Sequence, residues 1–131
     1  MKKQIRAFSF VQDKKSLSEV LTDHDLASLG DAFVNFVYSL ALSNKKGRPT
    51  GKKTKGTLLA EALRRAGLRS FIPSSVSSHA LADAAEALLV YAWLHDCTTL
   101  EESVTILEKN DDPVEGFAQL LEKIKSGIKL S

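Results

Sequence analysis

The sequence is poor in the residues that build covalent or thiolate frameworks. It holds one cysteine, Cys97. A lone thiol cannot form a disulfide within the chain and does not make a thiolate zinc site. That usage fits a reducing compartment. Long apolar runs are also missing. The longest uncharged apolar stretch, Ala87 to Leu94, is far too short to cross a bilayer. No apolar segment follows the first lysines, so a signal peptide is not expected. Together these absences lead us to expect a cytoplasmic protein without a membrane partner. Acid is scarce in one region: between Lys45 and Arg69 the only carboxylate is Glu61.

What is present suits one compact domain over residues 1–131. The chain has 131 residues and 44% hydrophobic composition, enough for a single core and too short for a second domain of ordinary size. The formal net charge of +2 is mild, so the distribution of charge matters more than its sum.

Periodicity predicts an all-α fold of about five to seven helices. Phe8, Phe10 and Val11 fit either a short strand or a packed tail. Ser16 with Glu19 has capping-box spacing, opening a short helix through Leu21. From Asp23 to Ser43 there is no proline and no glycine except Gly30. There Leu26, Leu29, Phe33, Phe36, Val37 and Leu40 form one apolar stripe. Ala27, Val34, Tyr38 and Ala41 make the opposite side apolar too, which predicts a buried helix with Asp31 alone on its wall. Residues 44–55, NKKGRPTGKKTK, read as a mobile solvated loop. A helix follows over Thr57 to Ala66, ended by Gly67, then a turn-rich connector over 69–78. Residues 79–96 predict a second buried helix with His79, Asp83, Glu86 and Val90 on one face. Thr99 and Glu102 form a further capping box, opening a helix through Glu108. Asp112 and Pro113 open a last helix over 113–127, with Val114, Phe117, Leu121 and Ile124 inward.

Asp83 and Glu86, three residues apart, lie on one helix face. Two ionised carboxylates there repel each other, and burial raises the cost. Such a pair needs a positive partner: a Lys or Arg, a shared proton, or a hard cation with oxygen ligands such as Mg²⁺. Proximity to the helix start accounts for part of the placement through the dipole. Spacing alone does not bring Asp31 to the other two.

Two stretches resemble a known family. Ala27 to Ala41, ASLGDAFVNFVYSLA, resembles the signature helix of ribonuclease III, whose pattern reads ERLEFLGDAVL; the match is strongest at Leu29, Gly30, Asp31 and Ala32. Leu81 to Leu94, LADAAEALLVYAWL, resembles the family's second signature, LADxxEAxxGAxxLD. The resemblance covers roughly residues 16–110. It implies an all-helical, homodimeric endonuclease domain that cuts both strands of double-stranded RNA. It implies Mg²⁺, or Mn²⁺ in its place, held by Asp31, Asp83 and Glu86, which would then be the catalytic acids. Ribosomal RNA precursors are one class of substrate it suggests. The family pattern has glutamates seven and four residues before its aspartate, where this chain has His24 and Ala27. The compact Mini-III relatives are similar in having alanine at the nearer place and no separate double-stranded-RNA-binding domain.

Residues 45–69 carry nine of the chain's eighteen Lys and Arg. Such a patch displaces counterions from phosphates with little regard to base sequence, which suits duplex RNA. Lys45, Lys46, Arg48, Lys52, Lys53 and Lys55 are the expected RNA contacts, with Lys52, Lys53 and Lys55 facing the scissile phosphate. A solvated loop kept soluble by its charge is the plain alternative. Two other functions remain open at this level: a catalytically silent RNA-binding module of the same fold, and a helical protein–protein adaptor. His79, His95, Cys97, Tyr91 and Trp93 are assigned packing, capping or contact roles.

Overall fold

The computed structural model describes residues 8–130, so what sequence suggested for residues 1–7 lies outside it. The described chain is helical, with no strand among the described residues. Six α-helices follow in order: α1 (Leu17–Leu21), α2 (His24–Lys46), α3 (Gly56–Arg65), α4 (Ser78–Leu94), α5 (Leu100–Lys109) and α6 (Pro113–Gly127). A single 3₁₀ turn, Arg69–Phe71, lies between α3 and α4.

Local chemistry fixes the helix ends. Asp23 caps α2 by accepting from the Leu26 amide at 2.9 Å, and Gly47 closes it in the left-handed conformation at φ 73°. The same Asp23 pairs with Lys14 Nζ at 2.6 Å, which ties the N-terminal segment to the helix start. Ser77 caps α4, Asp112 caps α6 with Pro113 in its first turn, and Thr99 with Glu102 forms a complete capping box on α5. The expected box at α1 is only half made. Ser16 accepts from Glu19 N at 3.2 Å, but the Glu19 carboxylate takes the amide of Lys15, one residue too early.

Helix α4 is the axis of the fold. Its Ala84, Ala85, Ala87, Leu88 and Ala92 are fully buried, and α1, α2, α3 and α6 all pack on it. Each fully buried leucine or phenylalanine in this core, such as Leu63, Leu88, Phe117 and Leu121, contributes about 1.5–3 kcal/mol. The inward stripe expected for α6 is the observed one, with Phe117, Leu121 and Ile124 buried.

Helix α2 differs from the sequence expectation. Its buried residues are Ala27, Gly30, Val34, Val37 and Ala41; of the expected stripe only Val37 is among them, with Leu26, Phe33 and Leu40 partly buried. Leu29 is 40% and Phe36 55% exposed, so α2 is only half sunk in the bundle. By length and composition α2 could cross a membrane, but its small residues are pressed against α4. The reason is Gly30. A Cβ there would lie 2.1 Å from the Glu86 carbonyl oxygen, so the two helices touch backbone to backbone. Small residues allow that approach, and Leu29 and Phe36 are left on the outer side. Phe33 is intermediate, stacked on Trp93 with ring centroids 5.2 Å apart. Phe8 lies 6.1 Å from Trp93, so the N-terminal segment packs as a tail rather than a strand.

Candidate functional site

The Gly30 crossing decides where the acids meet. Asp31 follows Gly30 on α2 and faces the turn of α4 that bears Glu86. The two carboxyl groups come within hydrogen-bonding reach of each other, 55 positions apart in sequence. Asp83, one turn earlier on α4, lines the same open cleft of about 470 Å³. His24, Ala27, Lys53, Thr54, Gly56 and His79 complete its edge. Sequence reasoning therefore found three side chains that share a cleft. The three are not a closed triad: among the described residues, no three His, Cys, Asp or Glu side chains come close enough to hold one ion in common.

Burial also differs from expectation. Glu86 is 8% exposed, whereas the Asp31 side chain is 48% exposed. The Glu86 carboxyl is pushed up to about 8. Burial is the main cause, then the hydrogen bond and negative charge of Asp31, then the charge of Asp83; Lys53 acts weakly the other way. The nearest cation to Asp31 is Lys53, whose Nζ lies 3.9 Å from Oδ2 on a side chain 77% exposed. Exposed charges at that distance attract only weakly.

This donor set fits a small hard cation. Mg²⁺ is commonly held by one or two carboxylates and keeps several waters. The Asp31–Glu86 pair supplies two such carboxylates in an open cleft, and a divalent charge would offset the burial and the neighbouring negative charge that now favour a proton on Glu86. Ala27 lies four residues before Asp31 and also lines the cleft, so the glutamate that the family signature has there would have pointed into it.

The basic segment is neither free nor all on one side. Three α2 side chains at helical spacing grip it. Ser43 Oγ accepts from the Thr50 amide at 2.9 Å, Ser39 Oγ from the Lys52 amide at 2.8 Å, and Asn35 Oδ1 from the Thr54 amide at 2.7 Å. The Ser39 hydroxyl also donates back, to the Lys52 carbonyl at 3.1 Å, while the single Ser43 proton is shared between the Ser39 carbonyl at 2.8 Å and the Thr50 carbonyl at 3.2 Å. Steps of four on the helix meet steps of two on the segment. Four helical residues rise about 6 Å and two extended residues about 6.6 Å, so the two ladders match. The mobile loop expected from its glycines and proline is instead bound along α2. The polar stripe Asp31, Asn35, Ser39, Ser43 is legible in the sequence at i+4 spacing, but a search for apolar periodicity passes over it.

Binding of this segment sorts the basic residues. Lys53 is set beside Asp31, and Lys52 lines an adjoining groove with Phe36. Lys55 and Arg48 are exposed. Lys45 and Lys46 belong to the last turn of α2, not to the loop, and Lys45 Nζ donates to the Asn110 carbonyl at 2.7 Å, away from the cleft. Arg64 and Arg65 pair with Glu61, Arg65 also with Glu115, and Arg69 donates to the carbonyls of Ile72, Pro73 and Ser74. The patch seen in sequence is thus partly internal to the fold.

A family model described as Ribonuclease III matches residues 24–129, most of the chain. No curated protein matches it.

Proposed function

The chain belongs to the ribonuclease III family, and from that premise we propose that it is a divalent-metal-dependent endoribonuclease acting on double-stranded or structured RNA. Membership supports a nuclease-type, RNA-acting domain; the finer reading rests on one observation. Asp31 from α2 and Glu86 from α4 converge in an open cleft, with Asp83 beside them and Lys53 at its rim.

Asp31 and Glu86 are the proposed ligands for Mg²⁺, with Asp83 beside them in the same cleft and Mn²⁺ able to substitute. When bound, the ion supplies Lewis acidity to the scissile phosphate and lowers the pKa of water. The protein's own part is placement. Asp31 and Glu86 hold the cation from two helices locked by the Gly30 contact. Asp83 adds negative charge on the α4 side. Lys53 offers a positive charge to the phosphate, while Arg48, Lys52 and Lys55 meet neighbouring phosphates. Maturation of ribosomal RNA in the cytoplasm is a proposed setting.

A homodimer is part of this reading. The outer face of α2 exposes Leu29 and Phe36, and the tail exposes Phe8 and Phe10, apolar side chains that a two-fold contact could cover. A two-fold pair would present two clefts to the two strands of one duplex.

The test is cleavage of 5′-labelled duplexes and hairpins with and without Mg²⁺. Cleavage by wild type and its loss in Asp31→Asn and in Glu86→Gln are expected. Intact RNA after incubation of wild type with Mg²⁺ or Mn²⁺ over varied substrates defeats the enzyme reading. A second reading is favoured by Ala27 standing in the cleft without a carboxylate: a silent RNA-binding module. It predicts duplex binding that is indifferent to chelator and carries no cleavage.

A further inference from the structure

Beyond the acids, one side chain touches both halves of the cleft. Asn35 lies one turn after Asp31 on α2. Its Oδ1 accepts from both the Thr54 amide at 2.7 Å and the Thr54 hydroxyl at 2.9 Å. Its Nδ2 donates to Asp31 Oδ1 at 3.3 Å. The amide has one sense only in this setting. The Thr54 amide faces its oxygen and a carboxylate faces its nitrogen, so turning it over would lose both of those bonds, whatever the Thr54 hydroxyl does. Thr54 is 8% exposed, which shields this junction from competing water.

We propose that Asn35 is the positioning residue that joins the acid to the basic segment, fixing the Asp31 carboxylate on one side and the register of Lys53 on the other. This rests on the reading of Asp31 as a metal ligand. The ladder explains why Asn35 differs from Ser39 and Ser43. All three hold the segment, but only Asn35 also reaches the acid. With Oδ1 engaged by Asn35, the second oxygen, Oδ2, is the one directed to Lys53. Partners that orient ligating carboxylates commonly change metal affinity or rate by about 10–100-fold when removed. Asn35 is not a catalytic residue here; it acts through Asp31 and Lys53.

Three variants test it. Asn35→Ala removes all three hydrogen bonds. Asn35→Asp keeps the shape and the acceptor for Thr54, but sets a like charge against Asp31. Asn44→Ala removes a hydrogen bond to Glu108 at the far end of α2 and serves as the control. For Asn35→Ala, kcat on saturating duplex RNA is expected to fall about 10–100-fold with KM nearly unchanged, and Mn²⁺ affinity without RNA to fall by a similar factor. Asn35→Asp should also lose kcat while the Thr54 amide stays protected from hydrogen exchange. Asn44→Ala should match wild type. The inference is overturned if Asn35→Ala keeps wild-type kcat and Mn²⁺ affinity, even with a lowered Tm. It is equally overturned if the Thr54 amide, held by Asn35 in wild type, exchanges no faster in that variant. If wild type neither cuts RNA nor binds Mn²⁺, the enzyme reading fails on its own account. The positioning role is then decided by that amide and by whether Asp31→Ala frees the Asn35 side-chain amide to exchange.

Discussion

Replacing Gly30 by alanine gives the sharpest test of how the two acid-bearing helices are held. In an ordinary helix interior, alanine is favoured over glycine by about 0.8–1.0 kcal/mol. Here the added methyl would stand 2.1 Å from the Glu86 carbonyl oxygen and 2.5 Å from its carbonyl carbon, whereas Cβ atoms do not approach closer than 3.0 Å. The obstacle is backbone in the middle of α4, with fully buried Ala85, Ala87 and Leu88 around it, so it cannot swing aside as a side chain would. The helices must part by roughly 1 Å, and overpacking of this kind costs typically about 1–3 kcal/mol, occasionally more. Because the obstacle is backbone, we take the upper end of that range, at which the clash outweighs the propensity gain by about 2 kcal/mol. For a chain of this length, about 2.1 cal/mol/K per residue of unfolding entropy converts that to a Tm lower by roughly 7 °C. Thermal melts followed by circular dichroism measure it, with Gly127→Ala, where nothing lies within 4 Å of the new methyl, as the neutral comparison. A Gly30→Ala protein as stable as wild type, or more so, would refute the backbone contact and with it our account of how Asp31 reaches Glu86.

Further outcomes follow from the same geometry. In chelator, the native state holds the Glu86 proton more tightly than the unfolded chain does, because its carboxyl sits at about 8 against 4.5. Its contribution to stability is therefore complete below about pH 4.5 and is lost as pH rises through 8, a fall on the order of 3 kcal/mol between pH 5 and 7.5. Glu86→Gln should remove that slope, and wild-type and mutant melts that run parallel across this range would contradict a buried Glu86 that holds its proton beside Asp31. Lys52→Glu with Lys53→Glu should weaken duplex binding and lower the slope of log K against log salt by about one unit for each phosphate no longer neutralised, read by filter binding at several salt concentrations. An unchanged slope would remove these lysines from the interface. Asp23→Ala should cost about 1–2 kcal/mol by uncapping α2 and releasing Lys14, measured by urea denaturation; no change in midpoint would count against that cap.

Much of the fold is legible in the sequence because its signals are local. Thr99, Asp112 and Pro113 mark helix starts by side-chain chemistry that needs no tertiary contact, and α6 shows Phe117, Leu121 and Ile124 of its buried stripe directly. The face of α2 is not legible in this way, because side-chain size is a poor guide to burial there. Leu29 and Phe36 look like core residues until the Gly30 contact draws the small face inward. The acids Asp83 and Glu86 share a face by spacing alone, but bringing Asp31 to them depends on a helix crossing that no periodicity encodes. The segment around Thr50 to Thr54 is hidden for a similar reason. Its glycine and proline describe freedom of the isolated chain, and the hydroxyls and amide that remove this freedom come from an earlier helix.

The grip of α2 on that segment works like a vernier, two scales of different pitch that agree over a short span. Inserting one residue between Thr50 and Thr54 would put the alternation out of phase, turning the ammonium of residue 53 toward the helix and a neighbour toward the acid. Inserting two would restore the phase while leaving slack in the chain. Length changes between Gly47 and Pro49, outside the paired span, would escape this rule. The spacing from Thr50 to Thr54 is therefore fixed in whole steps, and the distance from charge to charge across the cleft is counted off along a helix.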